Sequence, residues 1–244
     1  MARGRVGDGR ARGRARLRHG ADQRGVSQGA AVHRSTFQNA ADHFGKIGES
    51  DPVPLKPSDK RPLAGIRAFG LGHVIAGAGI GRDLAYYGAD VLNIWRPNDT
   101  EVESFFWDVQ VGMRSTILDG SKEDREKFDR LLKDVDVFFS NRRPGYLERY
   151  GLTAEELSQK RPGLIHAKVV LNGEQGPWSN WVGFDDIGAA VSGVFAIEGT
   201  PTEPKSPPII PICDNVVGWL GTVGVLEALR RVQSREAAIE SQFR

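Results

Sequence analysis

The chain has 244 residues, 39% of them hydrophobic and 26% charged, the composition of a soluble globular protein with room for one large or two small domains. Its net charge is +2, but the basic excess sits in the first twenty residues, MARGRVGDGRARGRARLRHG, with seven arginines and one acid, so a nucleic-acid-binding surface over the whole chain is not expected. One cysteine, Cys213, excludes an intramolecular disulfide framework and fits a reducing, cytoplasmic setting; no His/Cys cluster has zinc-ligand spacing, and no apolar run approaches the ~20 residues needed to span a membrane.

Residues 1–26 read as a disordered basic extension, with an RNA-binding arm or an Arg-rich targeting segment as alternatives. Phe37, Ala40, Ala41 and Phe44 stand at helical spacing, and ESDPVPLKPSDKRP (49–62) reads as a linker, so 27–61 is expected to hold a helix and a proline-rich connection. The folded body is expected over 62–233. GIRAFGL (65–71) is a strand, 76–88 a small-residue helix, ADVLNIW (89–95) a second strand and STILD (115–119) a short one. Ser121 caps a charged helix that turns Phe128, Leu131 and Leu132 inward. VDVFFS (135–140) and LIHAKVV (164–170) are strands on either side of a helix, TAEELSQK (153–160), capped by Thr153. DDIGAAVSGVFA (185–196) is helical. An apolar run, PPIIPIC, leads to Asp214 and a last helix reaching about Gln233, and 234–244 reads as a polar tail. Strands alternating with helices predict an α/β fold, a parallel sheet with helices on both faces, in which ligands bind beyond the carboxyl ends of the strands.

Four places carry chemistry. The loop GLGHVIAGAGIG has glycines at 70, 72, 77, 79 and 81; it serves either a phosphate approached closely by backbone or a tight helix–sheet contact. Trp95-Arg96 ends the second strand where an NAD site has an acid, which favours a nucleotide with an extra phosphate, NADP or coenzyme A. Asn141-Arg142-Arg143-Pro144-Gly145 and Arg149 follow another strand, as phosphate-binding arginines or as solvated loop residues. Asp214, where the apolar run gives way to a helix with Gly218, Gly221 and Gly224, is either a helix cap or a reactive carboxylate.

Six stretches occur in order: PLAGIRAFGLGHVIAG, LAYYGADVLNIWRP, RSTILD, NRRPGYLERYGLT, GFDDIGAAVSGVFA and PICDNVVGWLGTVGVLEAL. Together, over about residues 62 to 232, the chain resembles family III CoA-transferases of the formyl-CoA transferase, carnitine CoA-transferase and bile acid-inducible protein F type. The resemblance implies a Rossmann-like large domain, coenzyme A as bound substrate with no metal or other cofactor, an acyl-CoA and a carboxylic acid acceptor as partners, and a homodimer in the full-length form. It implies Asp214 as the nucleophile that forms an aspartyl-CoA intermediate. It also implies His73, Val74 and Ala76 along the coenzyme A path, Arg96 at the nucleotide end, and further contacts from Leu118, Asn141, Arg142 and Arg149. An inert coenzyme A-binding fragment or subunit is the first alternative, and an NADP-dependent oxidoreductase the second.

The chain departs from the pattern at four points. Phe184 stands where related racemases have a catalytic histidine, which disfavours racemisation, a reaction needing an acid/base group on each face of the α-carbon. Leu171-Asn172-Gly173 replaces a glycine-aromatic-glycine turn before Gly176-Pro177. Arg142 replaces an aromatic residue after Asn141. Finally, members of the family continue past the last helix into further sheet elements and a smaller domain, so the resemblance predicts a truncated N-terminal domain.

Overall fold

The computed structural model describes residues 44–48, 61–208, 211–233 and 238–243. The expected extension over 1–26, most of the helix expected before Phe44 and the linker up to residue 60 lie outside the described residues. Among the described residues, seven strands form one sheet: β1 Phe44–Gly48, β2 Arg67–Leu71, β3 Asp90–Trp95, β4 Arg114–Ile117, β5 Val137–Ser140, β6 Ile165–Val169 and β7 Ala238–Phe243. Their order is β1-β7-β6-β5-β2-β3-β4. All neighbours are parallel except the outer pair, β1 and β7.

Helices cover both faces, and the strand alternation decides what each face receives. In β5, VFFS is wholly buried, as a strand between two covered faces must be. Val137 and Phe139 join one core with Ile80 and Leu84 of α1 (Ala76–Tyr86) and Val225, Ala228 and Leu229 of α8 (Ile212–Gln233). Phe138 points the other way, into a core with Phe128 and Leu132 of α3 (Lys122–Leu132), Leu147 of α4 (Tyr146–Tyr150) and Leu157 of α5 (Ala154–Lys160). The predicted caps form: Ser121 Oγ accepts from Asp124 N, and Thr153 and Glu156 make a reciprocal capping box. Leu131, expected inward, is half exposed, because α3 buries the narrower stripe of Phe128 and Leu132.

Several expectations need correction. A short helix, α2 (Glu103–Val109), follows β3, and α4 precedes α5; neither is long enough for periodicity to show. Gly193, with φ of 85°, divides the helix expected over 185–196 into α6 (Asp185–Ser192) and α7 (Val194–Glu198). Phe44 lies in a strand, and the expected polar tail contains β7. That strand satisfies the open backbone edge of β6, which side-chain composition does not report. The span Ile212–Val232 is long and apolar enough, by length and composition, to cross a membrane, so the expectation that no segment came near that length does not hold. One side of the helix is built into the core through Thr222, Val225, Ala228, Leu229 and Val232. It crosses α1 closely: a Cβ on Gly218 would stand 3.2 Å from the Ala76 carbonyl oxygen and 3.7 Å from Gly79 Cα. That accounts for one glycine in the row behind Asp214.

Candidate active site

The chain leaves β2 toward β3 on one side and returns to β5 on the other. The connections that leave the adjacent carboxyl ends of β2 and β5 therefore run to opposite sides, the switch point where such sheets bind ligands. The loop after β2 is clasped there by two asparagines. Asn93 Oδ1 accepts from Gly72 N at 3.0 Å and its Nδ2 donates to Gly72 O at 3.0 Å. Asn141 does the same to His73, at 2.9 Å in each direction. A Cβ on Gly77 would run into the Asn141 carboxamide, which explains the glycine in the first turn of α1. Val74 adopts a left-handed φ of 53°, strained for a β-branched residue, and Glu101 holds it by accepting Val74 N–H at 3.0 Å on both oxygens. Glu101 also meets His73 Nδ1 at 2.7 Å.

Arg96 follows β3 and Arg142 follows β5, and both converge on Asp99. The Asp99 carboxylate accepts from Arg96 Nε and Nη2 at 2.8 and 2.6 Å, and from Arg142 Nη1 and Nη2 at 3.1 and 2.6 Å. Both guanidiniums lie over the Tyr146 ring, at 5.5 and 5.3 Å. Burial alone would raise the Asp99 carboxyl, but the hydrogen bonds from Arg142 and Arg96 outweigh it and hold it well below the usual range.

Asp214 comes from the last helix. The helix starts before it: the Pro211 carbonyl accepts from Asn215 N at 3.3 Å, so α8 begins at Ile212 and Asp214 is its third residue. Asp214 is therefore not the cap. Its own N–H is capped from another helix, by Asp185 Oδ1 at 2.8 Å. Its carboxyl is pushed up to about 6, by burial first and by the charge of Asp185 second. Cys213 beside it has its thiol raised by burial.

One cavity of about 680 Å³ joins these elements. Of the residues singled out from sequence, His73, Val74, Ala76, Arg96, Asn141, Arg142 and Asp214 line it. Leu118 and Arg149 do not: Leu118 packs toward the core under α3 and α4, and Arg149 lies over Tyr150. The sequence profile of CoA-transferase family III matches residues 63–239.

The chain belongs to CoA-transferase family III.

Among family III relatives, it is 33% identical to succinyl-CoA–D-citramalate CoA-transferase of Chloroflexus aurantiacus, over 71% of this chain and 46% of that protein. It is 30% identical to succinate–glutarate CoA-transferase of Agrobacterium fabrum, over 71% of this chain and 48% of the relative. A crystal structure of a CAIB/BAIF family protein from Brucella suis superposes with a TM-score of 0.67 at 26% identity, covering 75% of this chain and 52% of that one. The chain thus spans about half the length of the relatives it matches.

Around this cavity, four residues escaped the reading of the sequence as site residues: Asp99, Tyr146 and Asp185, which line it, and Glu101, which holds His73 and Val74. The acids of PNDTE, just past a strand end, are a visible signal for the first two. Nothing in the sequence pairs Asp99 with an arginine 43 residues away. Arg143, noted in the basic cluster, also lines the cavity.

Proposed function

We propose that the chain carries the coenzyme A site and the nucleophile of a CoA-transferase acting on an acyl-CoA and a carboxylic acid. The observation that supports this is that one cavity is lined both by the arginines Arg96, Arg142 and Arg143 and by a half-buried carboxylate near a helix N-terminus, Asp214.

In the proposed reaction, ionised Asp214 attacks the thioester carbonyl. The C–S bond breaks, leaving an aspartyl–acyl anhydride and the coenzyme A thiolate. The thiolate then attacks the aspartyl carbonyl, giving aspartyl-CoA and releasing the donor acid as its carboxylate. The acceptor carboxylate attacks aspartyl-CoA and expels the thiolate, which attacks the acceptor's acyl carbonyl. A new acyl-CoA leaves and Asp214 is restored. His73, Val74 and Ala76 would line the pantetheine path, with Arg96, Arg142 and Arg143 at the phosphates. Asn141 acts through the His73 backbone that it clasps.

With its carboxyl raised to about 6, Asp214 is mostly ionised at pH 7.5 and mostly protonated at pH 5. Transfer is expected to fall about tenfold per pH unit below 6. Incubation with succinyl-CoA and hydroxylamine should leave a hydroxamate on Asp214, located by peptide mass spectrometry, and Asp214→Asn should lose at least about 10³-fold in rate. Full activity in that variant would end the proposal. Retention of coenzyme A without hydroxamate or turnover would favour the inert binding fragment or subunit. Family membership does not favour the NADP-dependent oxidoreductase.

A further inference from the structure

The basic wall of the cavity already holds an anion of its own. The Asp99 side chain is 2% exposed and accepts five N–H groups: the Arg96 backbone, Arg96 Nε and Nη2, and Arg142 Nη1 and Nη2. The two arginines differ in freedom. Arg142 is 7% exposed, and its Nε has no hydrogen-bond partner among the described residues. Arg96 is 47% exposed. A buried donor left unpaired beside a cavity indicates a group still to come.

We propose that Asp99 is a built-in phosphate surrogate: a positioning residue, anchored on Arg142, that holds the Arg96 fork ready for bidentate binding and that an incoming phosphate displaces from Arg96. The proposal rests on the reading of this cavity as a coenzyme A site.

Carboxylate and phosphate offer a guanidinium fork similar oxygen pairs, so Asp99 keeps the Arg96 fork in a geometry that a phosphate can accept. Arg96 can change partners at little cost because its head is already half in water. Arg142 cannot leave, since that would strand a buried charge. Tyr146 lies under both guanidiniums before and after the exchange and limits how far either can swing.

The arrangement also carries a selectivity. A tethered carboxylate competes at high effective concentration against any free one. The acceptor acid of the transfer, itself a carboxylate, is therefore kept from the arginines, while a more highly charged phosphate gets through.

The test is calorimetric titration of coenzyme A and of pantetheine, which has no phosphate, into the wild-type chain and Asp99→Asn. Removing the competing charge should tighten coenzyme A roughly three- to tenfold and leave pantetheine unchanged. Unchanged or weaker coenzyme A binding by the folded variant overturns the proposal while leaving the coenzyme A site intact. Absence of coenzyme A binding by both proteins overturns both readings. A measurement on the wild type stands apart from the variant's folding. The Arg96 Nε–H resonance should shift on adding coenzyme A; a resonance unmoved by bound coenzyme A overturns the exchange.

Discussion

Asp99 and Asp214 are the same side chain at two places in one cavity, held in opposite ways. Asp99 is saturated by two arginines, which keep it ionised and inert. Asp214 has its backbone fixed by Asp185, while burial and a neighbouring charge raise its carboxyl to about 6. The difference follows from what stands beside each carboxylate: a buried acid without a neighbouring cation is destabilised in its charged form.

The contrast can be broken most strongly at Asp99. Asp99→Ala leaves Arg142 buried without its counter-ion and should cost about 3 kcal/mol in urea denaturation. A loss below about 1 kcal/mol would mean that solvent already screens the pair.

At Asp214 the sign reverses. Its carboxyl titrates at about 6 in the folded chain against an ordinary 3.8, so the folded state holds its proton more tightly. The contribution of this group is fully present below pH 4 and is lost as pH rises through 6. Asp214→Asn, which stays neutral, should therefore gain up to about 2 kcal/mol of stability over wild type at pH 8, a figure reduced by partial solvent screening, with no gain at pH 3.5. Equal denaturation midpoints at pH 8 would remove the electrostatic part of the contrast.

The smallest effects separate the two things that Asp185 does. Asp185→Asn keeps an oxygen to accept the Asp214 N–H and removes the charge. The Asp214 carboxyl, followed by ¹³C NMR, should titrate below 6 yet above 3.8, because burial is the larger cause and remains. Asp185→Ala should give the same lowered titration and lose about 1 kcal/mol of stability besides, as a cap does. A titration unmoved in both variants would assign the whole shift to burial.

Much of this was legible in the chain itself. The alternation of GIRAFGL, ADVLNIW, VDVFFS and LIHAKVV with helical stretches predicts a parallel sheet, since strands buried on both faces must be apolar throughout. Local capping signals at Ser121 and Thr153 were readable because cap and capped N–H lie three residues apart. Asp214 was visible as a lone acid at the start of a glycine-bearing helix, but not its position in that helix: the start is decided by the Pro211 carbonyl, and the cap comes from Asp185, 29 residues earlier. Likewise β7 was hidden, because the open edge that it fills belongs to β6.

Local periodicity and short-range hydrogen bonding therefore settle the order of the central strands and the longer helices, the face most of them bury, and which residue types stand at the strand ends. Tertiary structure alone decided which charges meet. Asp99, Arg96 and Arg142 become one network, and Asp185 and Asp214 one pair, only when the ends of β2, β3 and β5 and the starts of α6 and α8 are brought to one cavity. Coulomb interactions and burial depend on distance in space and not along the chain, so the same letter, Asp, is an inert counter-ion at one place and a poised carboxylate at the other.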